Sequence, residues 1–260
     1  MDLPAVLEHF DEQVRRNPQP RPGETVEREP NLTRVLAGDG SWALVSWSVL
    51  EERDLDVVIT RQIERLRPLG CEWEWKHYSY DTPPSLPERL IAAGFTAGEV
   101  ETVLVAEIAG LSSGHGLPDG VELELVSDAA GAGELVRMLD GVFGRGIPGM
   151  QERLLAGITA DPPTTVALAA TVDGRPVAGG RVEFDGGSDF AGLWGGATVP
   201  EWRNRGIFTA LVARAVALAA ERGYRYAQVD AAPTSRPILE RLGFAELAKT
   251  TPYTYPAAAP

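Results

Sequence analysis

Apolar positions along the chain recur with two spacings, and the switches between them mark out the elements. Leu3, Val6, Leu7, Phe10 and Val14 share one face of a helix over 1–16. Pro18, Pro20 and Pro22 end it, because proline removes a backbone donor and fixes φ; the segment to Gly23 reads as an extended connector. Apolar runs over 33–37 and 41–50 flank Gly38-Asp39-Gly40 and predict a hairpin. A helix follows over 54–67, with Leu55, Val58, Ile59, Ile63 and Leu66 as its stripe. Next come a strand over 71–80, a short helix over 85–93 closed by Gly94-Phe95, and a strand over 101–108. The strand CEWEWKHYSY sets Trp73, Trp75, His77 and Ser79 against Glu72, Glu74, Lys76, Tyr78 and Tyr80, an aromatic surface suited to a core or to a binding groove.

After the polar, glycine-rich stretch 113–120 the same alternation restarts. A strand over 121–126 leads to helices over 128–143 and 148–159. Strands over 164–172 and 175–184 form a hairpin across Asp173-Gly174. A third strand over 188–199 carries Gly192, Gly195 and Gly196, and glycine costs stability inside a strand unless a bulge or close approach requires it. A helix over 207–222, a strand over 224–231 and a helix ending Glu240-Arg241-Leu242-Gly243-Phe244 complete the pattern.

The order strand, turn, helix places Arg203-Asn204-Arg205-Gly206 at a helix start, where backbone N–H groups lack intrahelical partners and the macrodipole is positive. Such a turn cradles phosphate, and Arg203 and Arg205 add charge. Val199, Arg203, Arg205, Gly206 and Ile207, read as V-x-x-x-R-x-R-G-I, resemble the acyl-CoA pyrophosphate loop of the GCN5-related N-acetyltransferases (GNAT), and the elements from 188 to 244 follow that family's second half in order. The resemblance implies that Arg203, Asn204, Arg205, Gly206, Ile207, Phe208 and Thr209 hold the diphosphate of acetyl-CoA. It also implies that the backbone of Ala197, Thr198 and Val199 pairs with the pantetheine arm. Two positions depart from the family pattern. Phe208 stands where a small residue is usual, so its ring must point away from the phosphates. Leu239 stands where many members carry an acidic tyrosine.

Transfer of acetyl to an amine requires a neutral nucleophile, a donor for the oxyanion and a proton for the thiolate. Glu183 is the first candidate base, ahead of Asp185, Asp189 and Asp230; the Val199 N–H is the expected oxyanion donor. Ser235 is the candidate acid, with Thr234, Tyr253 and Tyr255 behind it, unless the thiolate leaves unaided. In the family the segment holding Phe143, Arg145 and Met150 covers the acceptor. The expected activity is N-acetylation of a small-molecule or peptide amine in a ternary complex. The alternative is an acyl-CoA sensor that binds without turnover.

The first half repeats the second in outline, since Leu86–Phe95 echoes Ile238–Phe244. The fold expected is therefore α/β (α+β), with two GNAT-like units, each a mixed, mostly antiparallel sheet flanked by helices. Residues 1–112 form a shortened unit without a phosphate loop, 113–120 a linker and 121–260 the complete unit. Where the second unit has its arginines the first has Glu51-Glu52-Arg53-Asp54, which repels a diphosphate, so one acetyl-CoA site at most is expected. An N-terminal domain unrelated to the second remains the other reading of that echo.

A formal charge of −13, concentrated before residue 117, argues against nucleic acid as a partner. A lone cysteine, Cys71, excludes an internal disulfide, and neither His9 nor His115 has a neighbour with metal-ligand spacing, so no metal is expected. No apolar window is long enough to cross a membrane and the first residues lack a secretion signal, which points to the cytoplasm. Oligomeric state is not legible.

Overall fold

The computed structural model describes residues 1–111, 116–144 and 146–257. His115 and Arg145 lie outside the described residues. In chain order the elements are α1 (Leu3–Phe10), β1 (Glu24–Glu29), β2 (Leu32–Ala37), β3 (Ala43–Ser48), α2 (Leu55–Leu66), β4 (Trp73–Tyr78), α3 (Leu86–Ala92), β5 (Thr96–Ala97), β6 (Glu101–Glu107) and β7 (Glu122–Val126). They continue as α4 (Ala129–Phe143), α5 (Met150–Thr159), β8 (Thr165–Val172), β9 (Arg175–Phe184), β10 (Phe190–Thr198), α6 (Ile207–Glu221), β11 (Tyr226–Ala231), α7 (Arg236–Arg241) and β12 (Ala245–Tyr255). The chain divides into two compact units. Among the described residues, one comprises 1–103, 231–233 and 246–257; the other comprises those of 104–230 and 234–245.

In the first unit β2 pairs antiparallel with β1 and β3, β3 runs parallel to β4, and β4 pairs antiparallel with β12. The apolar stripe of α2 and the buried Leu86 and Leu90 of α3 close on Leu32, Val45, Trp73 and Trp75. Trp75 is wholly buried, and burial of such a ring contributes about 3 kcal/mol, so the aromatic strand serves the core and not a groove. Tyr255 packs in the same place, 5.0 Å from Phe95 and 5.7 Å from Trp73. The 121–260 unit expected from sequence thus gives up its last strand to the first unit. β12 escapes the pattern because Lys249, Pro252 and five threonines or tyrosines break up its apolar content, while its backbone still ladders with β4 from Thr250 to Tyr255.

The helix expected over 1–16 is α-helical only to Phe10 and continues as a π-helix over Asp11–Arg16. The wider turn carries Arg15 inward while Val14 stays partly exposed.

The second unit orders its strands β7-β8-β9-β10-β11, antiparallel except for the parallel pair β10 and β11. Leu135 and Leu139 of α4 and Leu154 of α5 bury against Ala167 and Ala197 on one face of the sheet. α6 packs on the other, with Ile207, Ala210, Leu211, Ala215 and Leu218 on its buried side. The hairpin, helix and parallel-strand sequence β9-β10-α6-β11-α7 is matched in the first unit by β2-β3-α2-β4-α3. Each unit is thus a mixed, mostly antiparallel sheet flanked by helices. Among the described residues, no helix is long and apolar enough to cross a membrane.

Candidate functional site

β10 shares its two edges unequally. Along β9 it pairs from Ala191 to Thr198, whereas along β11 the ladder covers only Phe190↔Tyr226, Ala191↔Ala227 and Gly192↔Gln228. Beyond that register β10 runs on to Thr198 and β11 to Ala231 without a ladder between them, so the two strands part. The cause lies in the glycines. Between Trp194 and Ala197 the register slips, so that Gly195 and Gly196 together face Gly180, and Gly195 adopts φ 64°. An inserted residue of this kind bends its strand and deepens its twist.

The turn that follows is short and tightly held. The Arg203 Nε donates to the Thr198 carbonyl at 3.0 Å, pinning the turn to the end of β10. The Arg205 guanidinium lies 4.5 Å from the centre of the Trp202 ring. Asn204 and Gly206 both adopt left-handed φ, 61° and 81°, and alternation of this kind makes successive amides converge on one point. Among the described residues, no amide from Asn204 to Thr209 donates to a protein oxygen; the first bond of α6 runs from Ala210 N–H to the Gly206 carbonyl. A side chain on Gly206 would meet nothing within 4 Å, so the approach to these amides is open. Phe208 does not stand in the way. A Cβ on Gly196 would lie 2.9 Å from its ring, so the ring rests against the bulged strand in the space that Gly196 leaves.

The three strand residues expected to pair with a ligand are not equivalent. The Val199 N–H donates to the Val177 carbonyl at 2.9 Å, which removes it as an oxyanion donor. By the alternation of an antiparallel ladder Ala197 also turns its backbone toward β9, and Thr198 turns away from it. The Thr198 carbonyl is taken by Arg203, and its buried Oγ1 has no hydrogen-bond partner among the described residues.

The catalytic candidates are spread. The Glu183 carboxylate is bonded to the Arg181 Nε at 2.6 Å, on the face of the sheet covered by α4 and α5. Ser235 precedes α7; its carbonyl accepts from the Ile238 and Leu239 amides, and its hydroxyl does not cap the helix. Leu239 is 1% exposed and belongs to the core. The Asp185 carbonyl accepts from the Ser188 amide in the turn between β9 and β10 and from the Tyr224 hydroxyl at 3.1 Å, and the Asp189 carbonyl accepts from the Arg225 and Tyr226 amides at the start of β11. Tyr253 is buried in the core of the first unit, which pushes its phenol pKa up. Phe143 is exposed at the end of α4 and Met150 half-buried at the start of α5.

One row of residues was not singled out from sequence. Register places Thr165, Glu183, Gly192 and Gln228 side by side across four strands, on one face, at the point where β10 and β11 part. A Cβ on Gly192 would lie 2.4 Å from the Trp194 Nε1 and 3.0 Å from the Gln228 Nε2, so the indole and the amide lie over that glycine. The signal available was a glutamine amid the small and apolar residues of YAQVDA.

The first unit carries the same parting of parallel strands, differently filled. β3 and β4 pair only from Ala43↔Trp73 to Val45↔Trp75 and then run on. Across them lies Arg15. Its Nε donates to the Ser46 carbonyl at 3.4 Å, its guanidinium sits 3.7 Å over the Tyr78 ring, and it bonds Asp81 at 2.7 Å and 2.9 Å, Tyr80 at 2.9 Å and Asp11 at 2.6 Å. Burial by itself would lower the pKa of Arg15, but Asp81, Tyr78, Tyr80 and Asp11 together raise it, so the charge is kept. His77 nearby is lowered, mainly by burial, with Arg15 adding to the effect and Asp81 opposing it. At the start of α2, carboxylates stand where the second unit has arginines: Glu51 pairs with Arg53 at 2.7 Å and Glu52 accepts from the Ser85 hydroxyl at 2.5 Å.

A bulged β-strand parting from a parallel neighbour, with an open amide turn at the following helix start, defines the class of domain. Residues 138–244 match the sequence model of the Acetyltransferase (GNAT) family. That stretch therefore resembles a domain of that family. Among solved structures, a GCN5-related N-acetyltransferase from Kribbella flavida is similar in fold, at 16% identity and a TM-score of 0.69, over 98% of this chain and 95% of that one. A conserved protein of unknown function from Staphylococcus epidermidis ATCC 12228 gives 13% identity and 0.68, over 97% and 100%. A tandem GNAT protein from the clavulanic acid biosynthesis pathway gives 14% and 0.56, over 92% and 85%. No curated protein matches.

Proposed function

We propose that this protein is an acyl-CoA-dependent N-acetyltransferase that moves acetyl from acetyl-CoA to an amine of a small molecule or peptide in a ternary complex. The observation that carries the reading is the run of amides from Asn204 to Thr209, open to approach and without protein acceptors, at the mouth of the gap between β10 and β11. Facing solvent, these helix-start donors are hydrated in the free protein, and a diphosphate can take the place of water at several of them at once. Arg205 and the outer nitrogens of Arg203 add positive charge in a protein that is otherwise strongly acidic.

Acetyl-CoA supplies an activated acyl group on a thiol whose pKa is ordinary for its kind, about 8.5. A thiol of that acidity leaves as thiolate at neutral pH with little help, which suits a site whose tyrosine position is the buried Leu239. Holding the two reactants together then contributes most of the rate. Glu183 is the candidate base, and the Arg181 guanidinium fixes its orientation. Ser235 is the candidate proton donor, at the head of α7. The sensor reading gains nothing from the site, since Phe208 leaves the amides open.

The test is thermal shift or calorimetry with acetyl-CoA on the wild type and on Arg205→Ala/Gly206→Glu, followed by a free-thiol assay over an amine panel. The melting temperature of each protein without ligand serves as the folding control. The wild type shifts with acetyl-CoA and the double variant, melting as the wild type does, does not; a shift unchanged in the double variant refutes the assignment of the loop.

A further inference from the structure

Gln228 is 4% exposed, and its Oε1 has no hydrogen-bond partner among the described residues. A buried carbonyl without a donor is destabilising, and an N–H of a bound ligand is one group that would satisfy it. Its surroundings narrow the choice. Gln228 is the last residue of β11 to pair with β10, its amide lies over Gly192, and Glu183 stands beside Gly192 on the adjacent strand, on the same face. An acceptor reaching the end of the gap from that face would meet a carboxylate on one side and a side-chain carbonyl on the other.

We propose that Gln228 receives the attacking nitrogen and restricts the acceptor to primary amines. The inference rests on the transferase reading above. A neutral primary amine has a lone pair and two N–H bonds. As the nitrogen forms its bond to the acyl carbon and the carbon–sulfur bond breaks, the electron pair of that bond leaves on sulfur and the nitrogen sheds one proton, to Glu183 or to water beside it. The thiolate, or the acid that serves it, takes up a proton in turn. The second N–H survives into the amide product, and Gln228 Oε1 accepts it throughout, which turns the lone pair toward the carbonyl and offsets positive charge on nitrogen as the bond forms. A secondary amine or an alcohol has one hydrogen, which must leave, and so cannot keep both contacts.

The experiment uses the full chain and three properties: melting temperature, acetyl-CoA-induced thermal shift, and thiol release with butylamine, phenethylamine and putrescine, each set against its N-methyl counterpart. Gln228→Leu removes the carbonyl at similar volume, and Gln228→Glu keeps an acceptor there. In the wild type the primary amines are expected to be used at least tenfold better than their N-methyl partners. In Gln228→Leu the melting temperature and the acetyl-CoA shift hold or rise, turnover of primary amines falls tenfold to a hundredfold, and the preference over N-methyl amines disappears; Gln228→Glu retains part of it. A residue that merely supported the fold would instead lower the melting temperature when replaced by leucine. The inference is overturned if Gln228→Leu keeps the wild-type preference, or if the wild type binds acetyl-CoA yet uses no primary amine of the panel. A wild type that shows no acetyl-CoA shift at all overturns the transferase reading itself, and this inference with it.

Discussion

A phenylalanine at the third residue after the loop arginine, Phe208, breaks the family's spacing, and one missing methyl group elsewhere accommodates it. Gly196 provides the room in which the ring lies. Gly196→Ala would set a Cβ 2.9 Å from that ring, so the ring must move toward the turn. We expect a loss of about 1–3 kcal/mol in stability and a weaker acetyl-CoA-induced shift. Gly196→Ala combined with Phe208→Ala restores the shift if crowding is the cause, which differential scanning fluorimetry reads directly. From sequence the glycine cluster announced a bulge and Phe208 an obstacle, but their mutual fit could not be seen. Residues 196 and 208 are joined only when α6 folds back over β10. Glu183 and Gln228 belong to the same case, since register alone makes them neighbours.

At the scale of elements, strands and helices with strong periodicity were legible, and the α6 boundary at Ile207 was read to the residue. What failed were elements whose reason for existing lies elsewhere in the fold. β1, with its sequence ETVERE, is a strand because β2 offers it a ladder and because Arg34 pairs with Glu29 at 2.7 Å and with Glu27 at 2.9 Å. The π-helix over Asp11–Arg16 exists to deliver one guanidinium to the gap between β3 and β4. That gap is the counterpart of the one in the second unit, and here the chain itself fills it. Arg15→Ala would leave Asp81 buried without its cation, and the expected cost is roughly 3–5 kcal/mol, measured as a drop in the urea midpoint. A change below about 1 kcal/mol would mean that solvent, and not Arg15, balances Asp81.

For the whole molecule the sequence suggested two consecutive units, whereas residues 246–257 belong with the first. A fragment holding residues 121–260 would carry β12 without β4 and β5, its ladder partners, and would expose Tyr253 and Tyr255. We expect that fragment to aggregate, and a fragment ending at 245 with residues 1–120 retained to lose the first unit's cooperative unfolding step while keeping the acetyl-CoA shift, as read by limited proteolysis and calorimetry. Sequence could not disclose this arrangement, because no local pattern says which edge a strand will choose. The arrangement also sets a clock on biosynthesis. At a ribosome adding about 5–20 residues each second, the amino-terminal sheet waits on the order of ten seconds for its closing strand. Until then β4 presents a bare edge, and a nascent chain stalled before residue 246 is the species that chaperones would find.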